Sequence, residues 1–292
     1  NAAGIDMGSR SHYVCVSQDN VREFRSFTID LHEIAKHLLS HNVKTVVLES
    51  TGFYWQQLFV LLQDYGFEVI LVNARHVKNV KGHKTDVVDC RWLQLLHSIG
   101  ILDNSFQPDA FTKEMRQYTR HRRSLIESSS KFIAKMNKSL VLMNIQLNTV
   151  LSDLTGESGL RVIKAIVDGE RDPNVLEKLI GKRVRASRED IVNALTGDWR
   201  AEHLFELSHN YEFYNFTWQK IRETDNQLEV LLASWESKNG NQTHKEEYDR
   251  KKKKPRQKND PKFDVKGIAY QMTNGVDLSQ IDGVNINTIM TI

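Results

Sequence analysis

"VVLESTGFYW", residues Val46 to Trp55, carries an apolar run straight into an acid. Val46, Val47 and Leu48 lead to Glu49, and Ser50-Thr51-Gly52 follow. A short apolar run closed by small turn residues reads as a strand, and the residues after Gly52 read as a helix. A strand that ends on a carboxylate and then turns into a helix places that charge at the rim of a sheet. An unpaired charge at such a place costs free energy, so its neighbours have to explain it.

Working outward, residues 1 to about 110 alternate strand and helix patterns. "AAGIDMG" is a short apolar run holding Asp6 before Gly8. "SHYVCVSQD" alternates Tyr13, Cys15 and Ser17 against His12, Val14 and Val16, as a strand does. The Asp19-Asn20 turn signal separates it from a third strand, "VREFRSFTID". Leu31, Ile34, Leu38 and Leu39 then recur at helical spacing. "VKTVVLE" is a fourth strand, "FYWQQLFVLLQDYG" a helix, "FEVILVN" a fifth strand, and "TDVVDCRWLQLLHSIG" a helix closing on Gly100. Three hairpin-like strands followed by strands separated by helices give a mixed sheet with parallel crossovers. That order fits a ribonuclease-H-like α/β fold better than a doubly wound dinucleotide fold, and no GxGxxG follows the first strand.

Composition excludes few classes. The 292 residues are 40% hydrophobic and 26% charged with a net charge of +3, ordinary for a soluble chain with room for two or three domains. The two cysteines, Cys15 and Cys90, form no CxxC pair and lie in unrelated sequence contexts, so neither a zinc site nor a disulfide framework is expected. The chain reads as reduced and cytoplasmic, with no apolar run of membrane-spanning length and no signal peptide. The opening Asn1 and the closing "IDGVNINTIMTI", a turn running into a new helix, lead to the expectation that residues are missing at both ends.

Residues from about 112 to 238 are helical in pattern, with two long helices. In the second, Leu204, Leu207, Tyr211, Tyr214, Trp218, Ile221, Leu228, Leu232 and Trp235 share one heptad a/d register, interrupted at an a position by Asp225. Sustained over more than four heptads, this is a coiled-coil signature, and a partner helix from another copy is expected to cover it; a helix packed inside its own domain is the alternative. Residues 239–262 lack periodicity and read as a basic flexible linker. Order resumes with "VDLSQIDGVNINTIMTI". The expected division is 1–111 for the α/β domain, 112–238 for the helical region, 239–262 for the linker and 263–292 for the incomplete start of another domain.

Four acids occupy telling positions. Asp6 lies in the first strand and Glu49 ends the fourth, which are neighbours in a ribonuclease-H-like sheet. Asp86 and Asp89 are three apart at the start of the last helix, hence on one face of it. Four carboxylates in one place repel. Two hard divalent cations, magnesium or manganese, would relieve that repulsion and clamp the oxygens of a phosphoryl transfer. Taken singly, Asp86 could serve only the helix dipole; together the four favour a site. Lys78, Lys81, His83 and Lys84 just before the acid pair suit a phosphodiester substrate, or form a solvated basic loop.

These stretches resemble one transposase family. "GIDMGSRSHYVCV", "VVLESTGFYWQQLFVLLQDYGFEVILVNARHVKNVKGHKTDVVDCRWLQLLHSIGIL" and "RRSLIESSSKFIAKMNKSL" are similar, in order and spacing, to the insertion-sequence family numbered one hundred and ten. The similarity covers about residues 4 to 170 well and the rest loosely. It implies a RuvC-like domain whose DEDD tetrad falls on Asp6, Glu49, Asp86 and Asp89, a coiled-coil region that forms a dimer or, on DNA, a tetramer, and the opening of a second transposase domain. It also implies a bacterial or archaeal recombinase guided by a structured non-coding bridge RNA that pairs with donor and target DNA. The serine nucleophile of that family belongs to the second domain, beyond residue 292, and is not carried onto Ser279.

On the first long helix Arg116, Arg120, Arg123, Lys131, Lys135 and Lys138 form one stripe, with Arg122 beside it and Leu125, Phe132, Met136, Leu140 and Met143 opposite. Such a row suits the phosphates of RNA or DNA alike, or is merely a solvated face. The competing functional reading is a resolvase-type nuclease that uses the same acids with water and no RNA. A sugar-kinase or actin-like ATPase, to whose phosphate loop "GIDMGS" is similar, would need a second α/β domain where the chain is helical. A non-catalytic RNA-binding protein would not need an intact tetrad.

Overall fold

The computed structural model describes residues 1–50, 52–73, 86–240, 242–250 and 258–291. The chain divides into two compact units, Asn1–Gln107 and Pro108–Ile292.

The first unit is built on a five-stranded sheet. Its strands are β1 (Ala2–Met7), β2 (Ser11–Ser17), β3 (Asn20–Arg25), β4 (Thr45–Glu49) and β5 (Glu68–Val72), in the order β3-β2-β1-β4-β5. The first three pair antiparallel, while β1–β4 and β4–β5 are parallel. Alternation decides the faces. Ile5, Met7, Val14, Phe24, Val46, Leu48 and Leu71 join Leu31, Ile34 and Leu38 of α1 (Thr28–Ser40) and Leu58, Phe59 and Leu62 of α2 (Trp55–Asp64) in one core. On the other face, Val47 and Val72 pack with Leu93 and Leu96 of α3 (Asp86–Ser98). The third strand is shorter than its sequence pattern suggested. It ends at Arg25, and the helix begins at Thr28 because the buried spacing of Leu31, Ile34, Ala35 and Leu38 draws in the preceding turn.

In the second unit, Asp109 accepts a hydrogen bond from the Thr112 amide at 2.6 Å and so caps α4 (Ala110–Leu142). The short helices α5 (Leu147–Val150), α6 (Glu157–Val167), α7 (Pro173–Glu177) and α8 (Arg188–Leu195) follow. They share a core with Met136, Leu140, Leu207 and Tyr214, the last two on α9 (Ala201–Asn239). The heptad row finds cover inside the chain. Leu207, Tyr214, Ile221, Leu228 and Leu232 are buried, and α9 packs along α4 of the same chain, as in the alternative reading of a helix packed inside its own domain. The odd a-position acid has an intrachain partner: Asp225 accepts from Arg122, which is 1% exposed.

The segment read as an aperiodic linker holds a further helix, α10 (Gln242–Arg250). Among its described side chains the buried one is Tyr248, which packs beside Tyr270 of α11 (Val265–Met272), with ring centroids 5.5 Å apart. A single apolar anchor leaves no period in the sequence. Lys258 donates to Asp153 and Thr155. Residues read as the start of a separate domain, among them Val265, Ile286 and Met290, share a core with Met115, Leu228 and Leu232.

Candidate active site

Register places the first two acids side by side. Ile5 pairs with Leu48 across the parallel β1–β4 ladder, so Asp6 and Glu49 take the next step at the carboxyl ends of neighbouring strands. Both follow the parity of Gly4 and Val47, the face covered by α3. That helix lies unusually close. A Cβ at Gly4 would stand 2.4 Å from the Gln94 amide nitrogen and 2.8 Å from the Cys90 carbonyl oxygen, both backbone atoms. Only glycine leaves room for it. The close approach brings the first turn of α3, with Asp86 and Asp89, over the end of β1.

The electrostatics register this convergence. The Asp6 carboxyl is pushed up to about 6, first by burial and then by the charges of Asp86, Asp89 and Glu49. Glu49 is buried, Asp89 half-buried and Asp86 exposed. Tyr13, paired with Asp6 across β1–β2, belongs to the same face. Its hydroxyl pKa is raised by desolvation, by Glu23 and, least, by Asp86. The sequence reading did not single out Tyr13 or Gly4; the alternation of β2 held the signal for Tyr13, and nothing local marks Gly4.

The two thiols, apparently unrelated in sequence, also meet here. Cys15 of β2 and Cys90 of α3 are free and fully buried, and they donate to the carbonyls of Ser17 at 3.1 Å and Val87 at 3.4 Å. The interaction of the two thiols pulls Cys15 below its ordinary value and pushes Cys90 up.

A set of hard carboxylate oxygens suits magnesium or manganese in donor chemistry. Among the described residues, however, no three His, Cys, Asp or Glu side chains are already gathered closely enough to hold a metal ion. Mutual repulsion without a cation is the physical reason to expect such an open arrangement.

The basic residues divide. Lys78, Lys81, His83 and Lys84 lie outside the described residues. Arg120, Arg123, Lys131, Lys135 and Lys138 are exposed along α4, and Arg116 is half-buried. Arg123 pairs with Glu127 at 3.0 Å. Arg122 is a correction: buried and paired with Asp225, it has no surface to offer a phosphate. Among the described residues no helix is long and apolar enough to cross a membrane.

A mixed sheet with a leading antiparallel meander, acids at the ends of its central strands and two more acids on the helix laid across them define a RuvC-like α/β domain, followed here by a helical region. Residues 3–145 match the DEDD transposases of the IS110 group, a family described as transposase, and the chain belongs to that family. No curated protein matches the chain. The membership makes it a DNA transposase, acting on DNA in recombination.

Proposed function

We propose that this transposase cuts and joins DNA phosphodiester bonds at Asp6, Glu49, Asp86 and Asp89, under guidance of a structured non-coding RNA that pairs with donor and target DNA. The observation that carries the reading is the convergence of four carboxylates: Asp6 and Glu49 end neighbouring strands, and Asp86 and Asp89 lie on the first turn of the helix seated on Gly4. Bound by these carboxylates, magnesium or manganese supplies Lewis-acid activation of the phosphodiester and neutralises charge in the transition state. Asp6 and Glu49 hold their positions through the strand ladder, and Asp86 and Asp89 through the seating of α3 on Gly4. A serine from a second domain supplies the nucleophile, as the family resemblance implies.

The exposed row from Arg120 to Lys138 supports contact with a nucleic-acid backbone. The heptad seam being covered within the chain, association of copies would use other surfaces. Phe205, Phe213 and Phe216, all more than half exposed on α9, support a homodimer through that outer row. The reading places the protein in the cytoplasm, with the nucleoid as its site of action.

A resolvase-type nuclease remains the second reading, because the four acids suffice for hydrolysis by water. A salt titration of binding to the element's own non-coding RNA and to a four-way DNA junction separates the two. Guidance predicts that the element's RNA binds more tightly than an unrelated transcript. Tight binding to the junction, with no preference between the transcripts, would replace guidance by the resolvase reading.

A further inference from the structure

On the sheet face opposite the carboxylates, a cavity of about 610 Å³ opens between the β1–β2 turn, α1 and α2. His12 lines it. Its side chain is 3% exposed, and its Nδ1 is buried with no hydrogen-bond partner among the described residues. A buried polar nitrogen left unmatched costs free energy that a ligand could recover. Phe53 and Tyr54 also line the cavity, 71% and 42% exposed, with ring centroids 5.1 Å apart. Large adjacent aromatics left in water mark a surface that gains by being covered.

The cavity's chemistry narrows what covers it. Gln57 and Asp64 contribute an amide and a carboxylate, and His32 bonds Tyr65 at 3.0 Å. None of the described lining residues is Lys or Arg, and Asp64 repels anions, so the cavity does not suit a phosphate. Flat rings beside neutral donors and acceptors suit a nucleobase, stacked on its face and hydrogen-bonded at its edge. Position points the same way. His12 follows the parity of the core-facing Val14, and it pairs with Met7, one residue beyond Asp6. Phe53 comes four residues after Glu49. The cavity and the carboxylates therefore share one end of the sheet, on opposite faces.

We propose that this cavity receives an unpaired nucleobase of the DNA strand processed at the carboxylates, stacked on Phe53 and Tyr54 and hydrogen-bonded by His12. The inference rests on the DNA-processing reading above and adds a base-holding site to it. Such a site would favour strands already locally unpaired, because extruding a paired base costs stacking and pairing energy.

The test uses the full chain with the element's own non-coding RNA present, and three duplexes of one target sequence: fully paired, with one unpaired 2-aminopurine, and with an abasic residue at that position. Wild type should bind the 2-aminopurine duplex more tightly than the abasic one, by about 5- to 150-fold, the range of base–aromatic stacking. Its fluorescence should be quenched on binding. Phe53→Ala and Tyr54→Ala, both at exposed positions, should each remove much of that preference and the quenching while leaving the salt slope unchanged, since no phosphate contact is lost. Equal losses on the abasic probe, or unquenched fluorescence in wild type, would overturn the base site while leaving DNA binding intact. Failure of wild type to bind any of the three duplexes would overturn the DNA-processing reading, and the base site with it.

Discussion

Gly4 of β1 lies against the backbone of Gln94 on α3, so close that a Cβ on Gly4 would fall 2.4 Å from the Gln94 amide nitrogen. Neither atom belongs to a flexible side chain, so Gly4→Ala must move the helix. We expect a loss of ~1–3 kcal/mol in chemical denaturation, the range for overpacking. Asp86 and Asp89 should retreat with α3, and the Asp6 carboxyl should titrate lower. A carboxyl titration by NMR that finds Asp6 still near its wild-type value would show that Gly4 does not set the acid geometry.

Asp6 itself makes stability depend on pH. Its folded pKa is about 6, against 3.8 for an ordinary aspartate. The folded state therefore binds the proton more tightly than the unfolded chain does. Relative to acid conditions, stability is lost as pH rises from about 4 through 6, and the loss is complete above that window. Asp6→Asn removes the ionisation, so in metal-free buffer it should be more stable than wild type at neutral pH and gain nothing at pH 4. Urea midpoints across the window check the sign. Added magnesium should draw the wild-type titration downward; a curve indifferent to magnesium would count against metal binding by these acids.

The pair Arg122–Asp225 joins the two long helices with the arginine almost wholly buried. Asp225→Ala would strand that cation, and removing one partner of a buried pair costs ~3–5 kcal/mol. Replacing both, by Arg122→Met with Asp225→Leu, should cost much less. Equilibrium unfolding of the single and double variants measures the difference, and equal losses would mean that shape rather than charge holds the site.

The exposed cations of α4 have a different signature. If they meet a nucleic-acid backbone, changing Arg120, Arg123 and Lys131 together to Ala should reduce the log-log salt slope of binding by ~2–3. Affinity should fall for all sequences alike, because such contacts position without specifying. An unaltered slope would leave the row as a solvated face.

Much of this was legible in the chain itself. Period-two alternation marks β2, short apolar runs mark β1 and β4, and the run ending at Glu49 fixes the acid at the rim. The spacing of Asp86 and Asp89 puts both on the first turn of α3. What stayed hidden depends on partners distant in sequence. Arg122 lies beside a basic stripe on its own helix, and only the second helix, 103 residues on, reveals its mate. Asp225 did carry a signal, since a lone acid in an apolar seam needs a cation. Cys15 and Cys90 become neighbours only through the sheet and the helix above it. In α10 Tyr248 is the one apolar residue of the sequence QTHKEEYDR, and one residue makes no pattern.

The length of α4 also sets a ruler. From Arg116 to Lys138 the helix advances ~33 Å at 1.5 Å per residue, close to one turn of duplex DNA at roughly 34 Å. The cations on this face can thus accompany a nucleic-acid backbone for about one turn. In a nuclease protection experiment, any footprint per protomer longer than that must be laid down by other parts of the protein.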